Sequence, residues 1–233
     1  MYPRHNAERH AEAAALYESV PAKFPESQHA SRAALARGKC HYLAGNFAQA
    51  RNLLADFLQT KGPAAYEAAH WTARTWLEEK QPQKAVEVAE GMIPQARGDK
   101  SEWLAPLLMD RADAVYAIAE RRKESIGFFE AVAQTAPQDP IGAQALYMAA
   151  FASLEVGDNA GALKRAEAFL AAHPKHDLAA EVTQIKAEGH LLLNQWKEAD
   201  AEYAKLLAQQ AEHPDRLLWS VRRALAATCA LTR

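Results

Sequence analysis

Residues 150–174 read AFASLEVGDNAGALKRAEAFLAAHP, and this stretch decides the fold. A small residue, Ala150, precedes a turn centred on Gly157, and a second small residue, Ala162, follows twelve positions after the first. A large apolar residue, Phe169, comes seven positions later, and a proline ends the stretch. Two antiparallel helices approach closely only where small side chains occupy the crossing of their axes, so the pattern predicts a tightly packed helix pair.

The same spacing recurs from about residue 8 to residue 226. Six small residues each precede a large apolar residue by seven positions, and five of the six have another small residue twelve or thirteen positions upstream. The small residues of the second helices are Ala13, Ala50, Ala85, Ser125, Ala162 and Ala199, and those of the first helices are Gly38, Ala73, Ala112, Ala150 and Ala187. Intervals of 35 to 40 residues between successive copies predict an array of repeats.

Apolar residues at three- and four-residue spacing run through these Ala-rich segments, whereas alternation at a period of two is nearly absent. We therefore expect an all-α fold, a right-handed α-solenoid (superhelix) of antiparallel helix pairs that spans residues 1–233 as a single array. The expected repeats lie near residues 1–27, 28–63, 64–100, 101–139, 140–176 and 177–214, with a partial repeat at 215–233. Because the first repeat lacks a first helix and the last lacks a second, we expect the chain to be a segment of a longer protein.

One interval is longer than the others. Forty residues separate Ala85 from Ser125, and this interval contains Ala96-Arg97-Gly98-Asp99-Lys100. We expect the extra residues to form a longer loop between helix pairs.

Composition excludes several classes of partner. The 233 residues carry 27 Lys and Arg against 29 Asp and Glu, a net charge of −2, so the sequence lacks the basic excess that would predict nucleic-acid binding. Mean hydropathy is −0.34, and the sequence lacks the run of about 18 apolar residues that would predict membrane insertion. Cys40 and Cys229 are too few and too distant for a disulfide framework, so a periplasmic and a cytoplasmic location both stay open.

The common catalytic motifs are absent. The sequence has no Gly-rich nucleotide loop, no Gly-x-Ser-x-Gly, no His-Glu-x-x-His and no Cys-x-x-Cys. His173 and His176 have a spacing that could suit a metal, but they flank Pro174, and a solvated loop is the better interpretation. We expect a non-catalytic protein without cofactor or metal.

The repeat resembles the tetratricopeptide repeat. That family has small residues at its eighth and twentieth positions, a Gly-containing turn, and a large residue four positions after the second small one. Tyr17, Leu54, Phe129 and Tyr203 match this last position, whereas Ala89 and Ala166 are smaller. The intervals here also exceed the usual period of about 34 residues. The resemblance implies a scaffold for protein–protein interaction.

A second resemblance supports an alternative function. The longer periods and the step Phe24-Pro25-Glu26-Ser27 are similar to repeats of bacterial cell-envelope proteins of the outer-membrane assembly and Tol-Pal-associated kind. This resemblance implies a structural or assembly segment of a larger envelope protein.

In tetratricopeptide repeat proteins the first helices line a concave groove, and the resemblance implies that a protein or peptide segment binds there. The expected contacts lie three positions before, one after and four after each small residue of a first helix, with Arg32 near the start. These candidates are Arg32, Leu35, Lys39, Tyr42, His70, Arg74, Leu77, Met109, Asp113, Tyr116, Tyr147, Phe151, Leu154, Gln184, Glu188 and Leu191. The alternative is that they pack against neighbouring first helices.

The charge of this expected groove changes along the chain. It is basic at Arg32, Lys39 and Arg74 and acidic at Glu155, Glu181 and Glu188. Chaperone-binding members of the family clamp a ligand carboxylate with Lys and Asn residues. The Asn residues are missing here, so we do not expect that activity.

Overall fold

A computed structural model of the chain describes residues 4–24, 26–27 and 29–231. These residues form twelve α-helices, and no β-strand occurs among them. The predicted all-α fold of consecutively packed helix pairs is confirmed. The chain divides into two compact units, Met1–Ile118 and Ala119–Arg233. The division falls inside the expected repeat 101–139.

The first unit contains six α-helices among its described residues. They are α1 (Arg4–Lys23), α2 (Ala30–Leu43), α3 (Phe47–Leu54), α4 (Pro63–Glu78), α5 (Pro82–Gly98) and α6 (Leu104–Ala117). A short 3-10 helix, Phe57–Gln59, follows α3. Each helix packs against the next, and α4 also contacts both α2 and α6. In the expected repeats α2, α4 and α6 are first helices.

The second unit contains the other six helices. They are α7 (Arg122–Thr135), α8 (Pro140–Glu155), α9 (Asn159–Ala172), α10 (Ala179–Leu192), α11 (Trp196–Gln209) and α12 (Arg216–Leu231), preceded by a 3-10 helix, Ala119–Arg121. Consecutive helices again pack together, and α8 contacts α10. Here α8, α10 and α12 are first helices.

The small residues of the repeat pattern lie where paired helices approach most closely. Ala73, Ala112, Ala150 and Ala187 have no exposed surface. A Cβ atom added to Gly38 would lie 2.6 Å from Cδ2 of Leu54, so a side chain at this position would displace the fully buried Leu54 of α3. The small residues of the second helices are also buried from α3 to α11, at Ala50, Ala85, Ser125, Ala162 and Ala199.

Three turns within pairs have the residue types that commonly end a helix, among them the predicted turn at Gly157. Gly45, Gly157 and Asn194 take positive φ angles of 81°, 78° and 60°, the left-handed region that Gly and Asn adopt most readily at the end of a helix. The turn between α4 and α5 uses Lys80 at φ 57° instead. The residue type does not indicate this conformation, because a lysine rarely occupies that region, although Pro82 at the start of α5 marks the break between the two helices.

The chain departs from the sequence pattern at α5 in two ways. A proline usually ends a helix, but Pro94 lies inside α5. The long interval between Ala85 and Ser125 was expected to add loop residues, but α5 continues to Gly98 and α6 begins at Leu104. The extra residues therefore lengthen a helix, because buried residues on both sides of the proline, Ile93 before it and Ala96 after it, continue the apolar face of α5. Pro25, part of the step quoted for the second resemblance, lies outside the described residues.

We expect Ala150→Leu to destabilise the chain by about 1–3 kcal/mol, because the added side chain overfills the crossing of α8 and its neighbours. Ala150 has no exposed surface and belongs to the buried cluster of the second unit. Ala171→Leu on exposed surface of α9 makes the same chemical change and should alter stability little. Urea unfolding of both variants measures the difference, and equal stability would show that the crossing is not tightly packed.

Candidate functional site

The candidate site is the face that the first helices share within each unit. In the first unit α4 contacts both α2 and α6, so equivalent positions on the three helices lie side by side. The predicted residues of this face are Arg32, Leu35, Lys39 and Tyr42 on α2, His70, Arg74 and Leu77 on α4, and Met109, Asp113 and Tyr116 on α6. We call this face groove 1.

A row of rings crosses groove 1 from α2 to the start of α6. The ring centroids of Tyr42 and Trp71 are 5.2 Å apart, those of Trp71 and His70 4.7 Å, and those of His70 and Trp103 5.5 Å. The sequence prediction omitted both tryptophans. Trp71 lies next to the counted position of His70, and Trp103 precedes α6. We call these four residues the ring row.

Charged side chains pair with one another beside the ring row. Nδ1 of His70 lies 2.7 Å from Oδ2 of Asp110, and Nη1 of Arg74 donates to Oδ2 of Asp113 over 3.0 Å. Burial raises the pKa of Asp110, and the neighbouring His70 opposes that shift. Burial likewise raises the pKa of Asp113 to about 6, with Arg74 opposing it. Since Arg74 is paired, it offers a partner less positive charge than the sequence suggests.

A cavity of about 420 Å³ opens at the α2 end of groove 1. Three predicted residues line it, Arg32, Leu35 and Lys39. Nζ of Lys39 lies 5.0 Å from the ring centroid of Trp71, which places this cation between the cavity and the ring row. The remaining lining residues are Tyr17, Ala36, Cys40, Leu43 and Glu67.

Three predicted partner-binding residues are buried. Leu35, Met109 and Leu191 are only 7%, 6% and 5% exposed. Their positions on the first helices turn towards neighbouring helices, so these side chains pack in the interior. These three residues offer little surface to a partner. The exposed apolar surface of the first helices is therefore smaller than the full set of predicted residues would give.

The corresponding face of the second unit lies on α8 and α10, and we call it groove 2. Its predicted residues are Tyr147, Phe151, Leu154, Gln184, Glu188 and Leu191. The rings of Tyr147 and Phe151 stack with their centroids 6.1 Å apart. Both rings and Leu154 are partly buried and pack against the core of the unit. They anchor the surface of groove 2 to that core.

The polar residues of groove 2 are held by α12. Gln184 Oε1 accepts a hydrogen bond from Nε1 of buried Trp219 over 3.0 Å. Glu188 Oε1 lies 3.0 Å from Nε of Arg222. The acidic character expected at Glu188 is therefore partly neutralised within the unit.

Groove 2 continues onto α12, which the predicted set did not include. Ala224 follows Ala187 by 37 residues and occupies the small position of this helix. The residues three before and one after it are Val221 and Leu225, which are 60% and 46% exposed. Val221 and Leu225 follow the same rule of positions around the small residue as the other groove residues, applied to one further repeat.

The described residues show little that suggests catalysis. No group of three His, Cys, Asp or Glu side chains among them is placed to hold a metal ion. His173 and His176 instead pack against Phe169, with ring centroids 5.4 Å and 5.6 Å away. Cys40 and Cys229 are free thiols. The absence of enzymatic activity stays a prediction.

In the described part of the chain, no helix combines the length and the apolar character that a membrane span requires.

The fold is that of tetratricopeptide repeat proteins, as the repeat pattern predicts. The chain is similar to the TPR-like repeats of a putative kinesin light chain from Podosopora anserina, with a TM-score of 0.64 and 20% identity over 80% of this chain and 98% of that one. It is also similar to BtubC (BKLC) from P. vanneervenii, with a TM-score of 0.70 and 12% identity over 92% and 94% of the two chains.

A third similar structure is a signal transduction ATPase with numerous domains from Pyrococcus horikoshii, which has a tetratricopeptide repeat sensor. The TM-score is 0.64 and the identity 14%, over 91% of this chain and 34% of that one. No family model and no curated protein matches the sequence. At these identities the structural likeness defines the fold, a TPR-type array of helix pairs.

We expect the stability of the protein to depend on pH through Asp113. Its pKa of about 6 in the folded chain exceeds its ordinary value of 3.8, so the folded state holds the proton more tightly than the unfolded state. Protonated Asp113 therefore makes a favourable contribution to the free energy of unfolding. This contribution is fully present below about pH 4 and is lost as the pH rises through about 6. Asn at this position stays neutral at every pH, so Asp113→Asn removes this loss. As the pH rises from about 4 to 7, the free energy of unfolding of the variant should increase by about 1–3 kcal/mol relative to that of the natural chain.

Urea unfolding at several pH values measures this effect. Asp56→Asn, a change at an exposed residue of the same unit, is the control and should leave the pH dependence unchanged. An Asp113→Asn variant with the natural pH dependence would show that a different group carries it.

Proposed function

We propose that the protein is a non-catalytic scaffold that binds a protein segment in groove 1. The observation that carries the proposal is the cavity of about 420 Å³ lined by Arg32, Leu35 and Lys39, three residues selected from the repeat pattern. The cavity has an apolar wall, two cations and one carboxylate, that of Glu67, so its net charge is positive and it suits an acidic segment that also carries a large apolar side chain.

The charge of the cavity favours an acidic partner. Arg32 is exposed, and in the described residues neither Arg32 nor Lys39 has a carboxylate within ion-pairing distance. By contrast, Arg74 is paired with Asp113. The attraction is therefore concentrated at α2, and it should weaken as salt rises.

The ring row provides a surface on which the segment can continue. Trp71 lies between the cavity and the rings of Tyr42 and His70. Aromatic side chains offer large contact areas with few rotatable bonds, and they are frequent at the energetic centres of interfaces. A bound segment would place its acidic residue near Lys39 and its apolar residues over these rings.

The similar structures support a scaffold at the level of fold. In the protein from Pyrococcus horikoshii the tetratricopeptide repeats are a sensor within a longer chain. An array of the same type can therefore serve as a recognition module, and groove 1 is the surface of this chain best equipped for that task.

A structural or assembly role is the second candidate, and one observation favours it. Leu217, Val221 and Leu225 are 77%, 60% and 46% exposed along one side of α12. Apolar side chains at this spacing form a stripe that suits packing against another helix.

We expect peptides of about twelve residues, selected from a random library by binding to the full chain, to contain Asp or Glu beside large apolar residues. Lys39→Glu should weaken the selected peptides about tenfold or more, because it reverses the charge beside the cavity. Fluorescence anisotropy measures the affinity, and raising NaCl from about 50 to 300 mM should weaken it further.

Lys61→Glu is the matched control, since Lys61 is exposed in the same unit and does not line the cavity. It should change the affinity little. Peptides that bind Lys39→Glu as well as the natural chain would place the binding surface elsewhere. A library without any enriched peptide would favour the structural role.

A further inference from the structure

A second cavity lies in the second unit, and none of the residues of groove 2 lines it. It has a volume of about 560 Å³ and is formed by second helices α7 and α9 over the start of α8. Its apolar lining consists of Ala133, Pro137, Gly142, Leu146, Ala168 and Ala172, and its polar lining of Glu130, Gln134, Gln138, Lys164, Arg165 and His173. We call it the α7–α9 cleft. Its volume is within the range of about 300–1,000 Å³ that is typical of small-molecule sites.

The cleft depends on small residues that the next repeat lacks. Moving along the chain by the repeat interval of 37 residues replaces Ala133 with Leu170 and Ala168 with Lys205. Leu170 is partly buried against the core of the unit, so a larger side chain at this position fills space. The α7–α9 cleft is therefore a feature of one repeat and not a general consequence of stacking helix pairs.

The start of α8 also shapes the cleft. A Cβ atom on Gly142 would lie 2.0 Å from the carbonyl oxygen of Ala136, so the backbone between α7 and α8 turns back onto α8 only because this residue is glycine. The next repeat has Ala179 at the corresponding position. Gly142 and Pro137 both line the cleft.

The rim of the cleft carries one cation that is not neutralised. Nε of Arg165 lies 2.8 Å from Oε1 of Glu130, and its Nη1 lies 3.4 Å from Oδ2 of Asp158. Lys164 is exposed at the rim, and within the described ranges no carboxylate lies at ion-pairing distance from it. The corresponding residue of the next repeat is Ala201. The repeat that forms the α7–α9 cleft thus combines apolar lining residues with an unpaired cation, and the next repeat does not.

We propose that the α7–α9 cleft binds a small amphiphilic monocarboxylate, a straight apolar chain with one carboxylate group. The apolar chain lies against Ala133, Leu146 and Ala168, where contact with water is lost from both surfaces. The carboxylate lies at the rim beside Lys164. This site is distinct from groove 1, and the proposal does not depend on a peptide binding there.

Decanoate and decanol, used below their aggregation concentrations, test the two halves of the proposal separately. Both should give saturable NMR shifts of amide signals from α7, α8 and α9 in the full chain, and decanoate should bind more tightly. Ala168→Leu should weaken both ligands about tenfold, because the larger side chain occupies the cleft. Lys164→Gln should weaken decanoate about fivefold and leave decanol unchanged, since exposed ion pairs are weak but measurable.

Lys205→Gln is the matched control, because it removes an exposed lysine from the neighbouring second helix α11, outside the cleft. It should affect neither ligand. If the amide NMR signals of residues outside the cleft are the same in Ala168→Leu as in the natural chain, the variant is folded. Absence of saturable shifts in the natural chain, or equal binding by Ala168→Leu, would overturn the site. Equal binding of decanoate by Lys164→Gln would overturn the role of the carboxylate.

Discussion

The close approach of paired helices at one small residue per helix is the constraint on which the other features depend. Gly38 meets Leu54 with no room for a Cβ atom, and Ala150 and Ala187 have no exposed surface. At the packing density of a protein interior, added atoms at these points separate the helices. Because the constraint applies to a few positions in each repeat, the rest of the repeat is free to differ. That freedom allows one array to carry grooves and a cleft of different chemistry.

The same closeness determines what the grooves can offer. Neighbouring first helices are near enough for their polar side chains to pair, as Arg74 does with Asp113 and Glu188 with Arg222. Partly buried pairs of this kind define geometry more than they add stability. The charge that is left for a partner is therefore smaller than the sequence suggests, and in groove 1 it is concentrated where Lys39 approaches the ring of Trp71.

The helices and their pairing could be predicted because the signals are local. The small residues and the turns at Gly45 and Gly157 can be read from the spacing alone. The path of α5 could not be read in this way, since extra residues between two repeats can lengthen either a loop or a helix. Burial of Ile93 before Pro94 and of Ala96 after it decides between the two. Lys80 took a left-handed conformation because the turn required it, which its residue type does not indicate.

The candidate site was predicted less completely, for a related reason. Counting along a helix identifies a face, but it does not reveal which neighbour that face meets. Leu35 and Met109 are on the expected face and are nevertheless buried, whereas Trp71, one position off the count, joins the ring row. The spacing of the small residues shows what the repeats have in common. Sites arise where they differ, as Ala168 in one repeat differs from Lys205 in the next, so the comparison of one repeat with its neighbour is what exposes them.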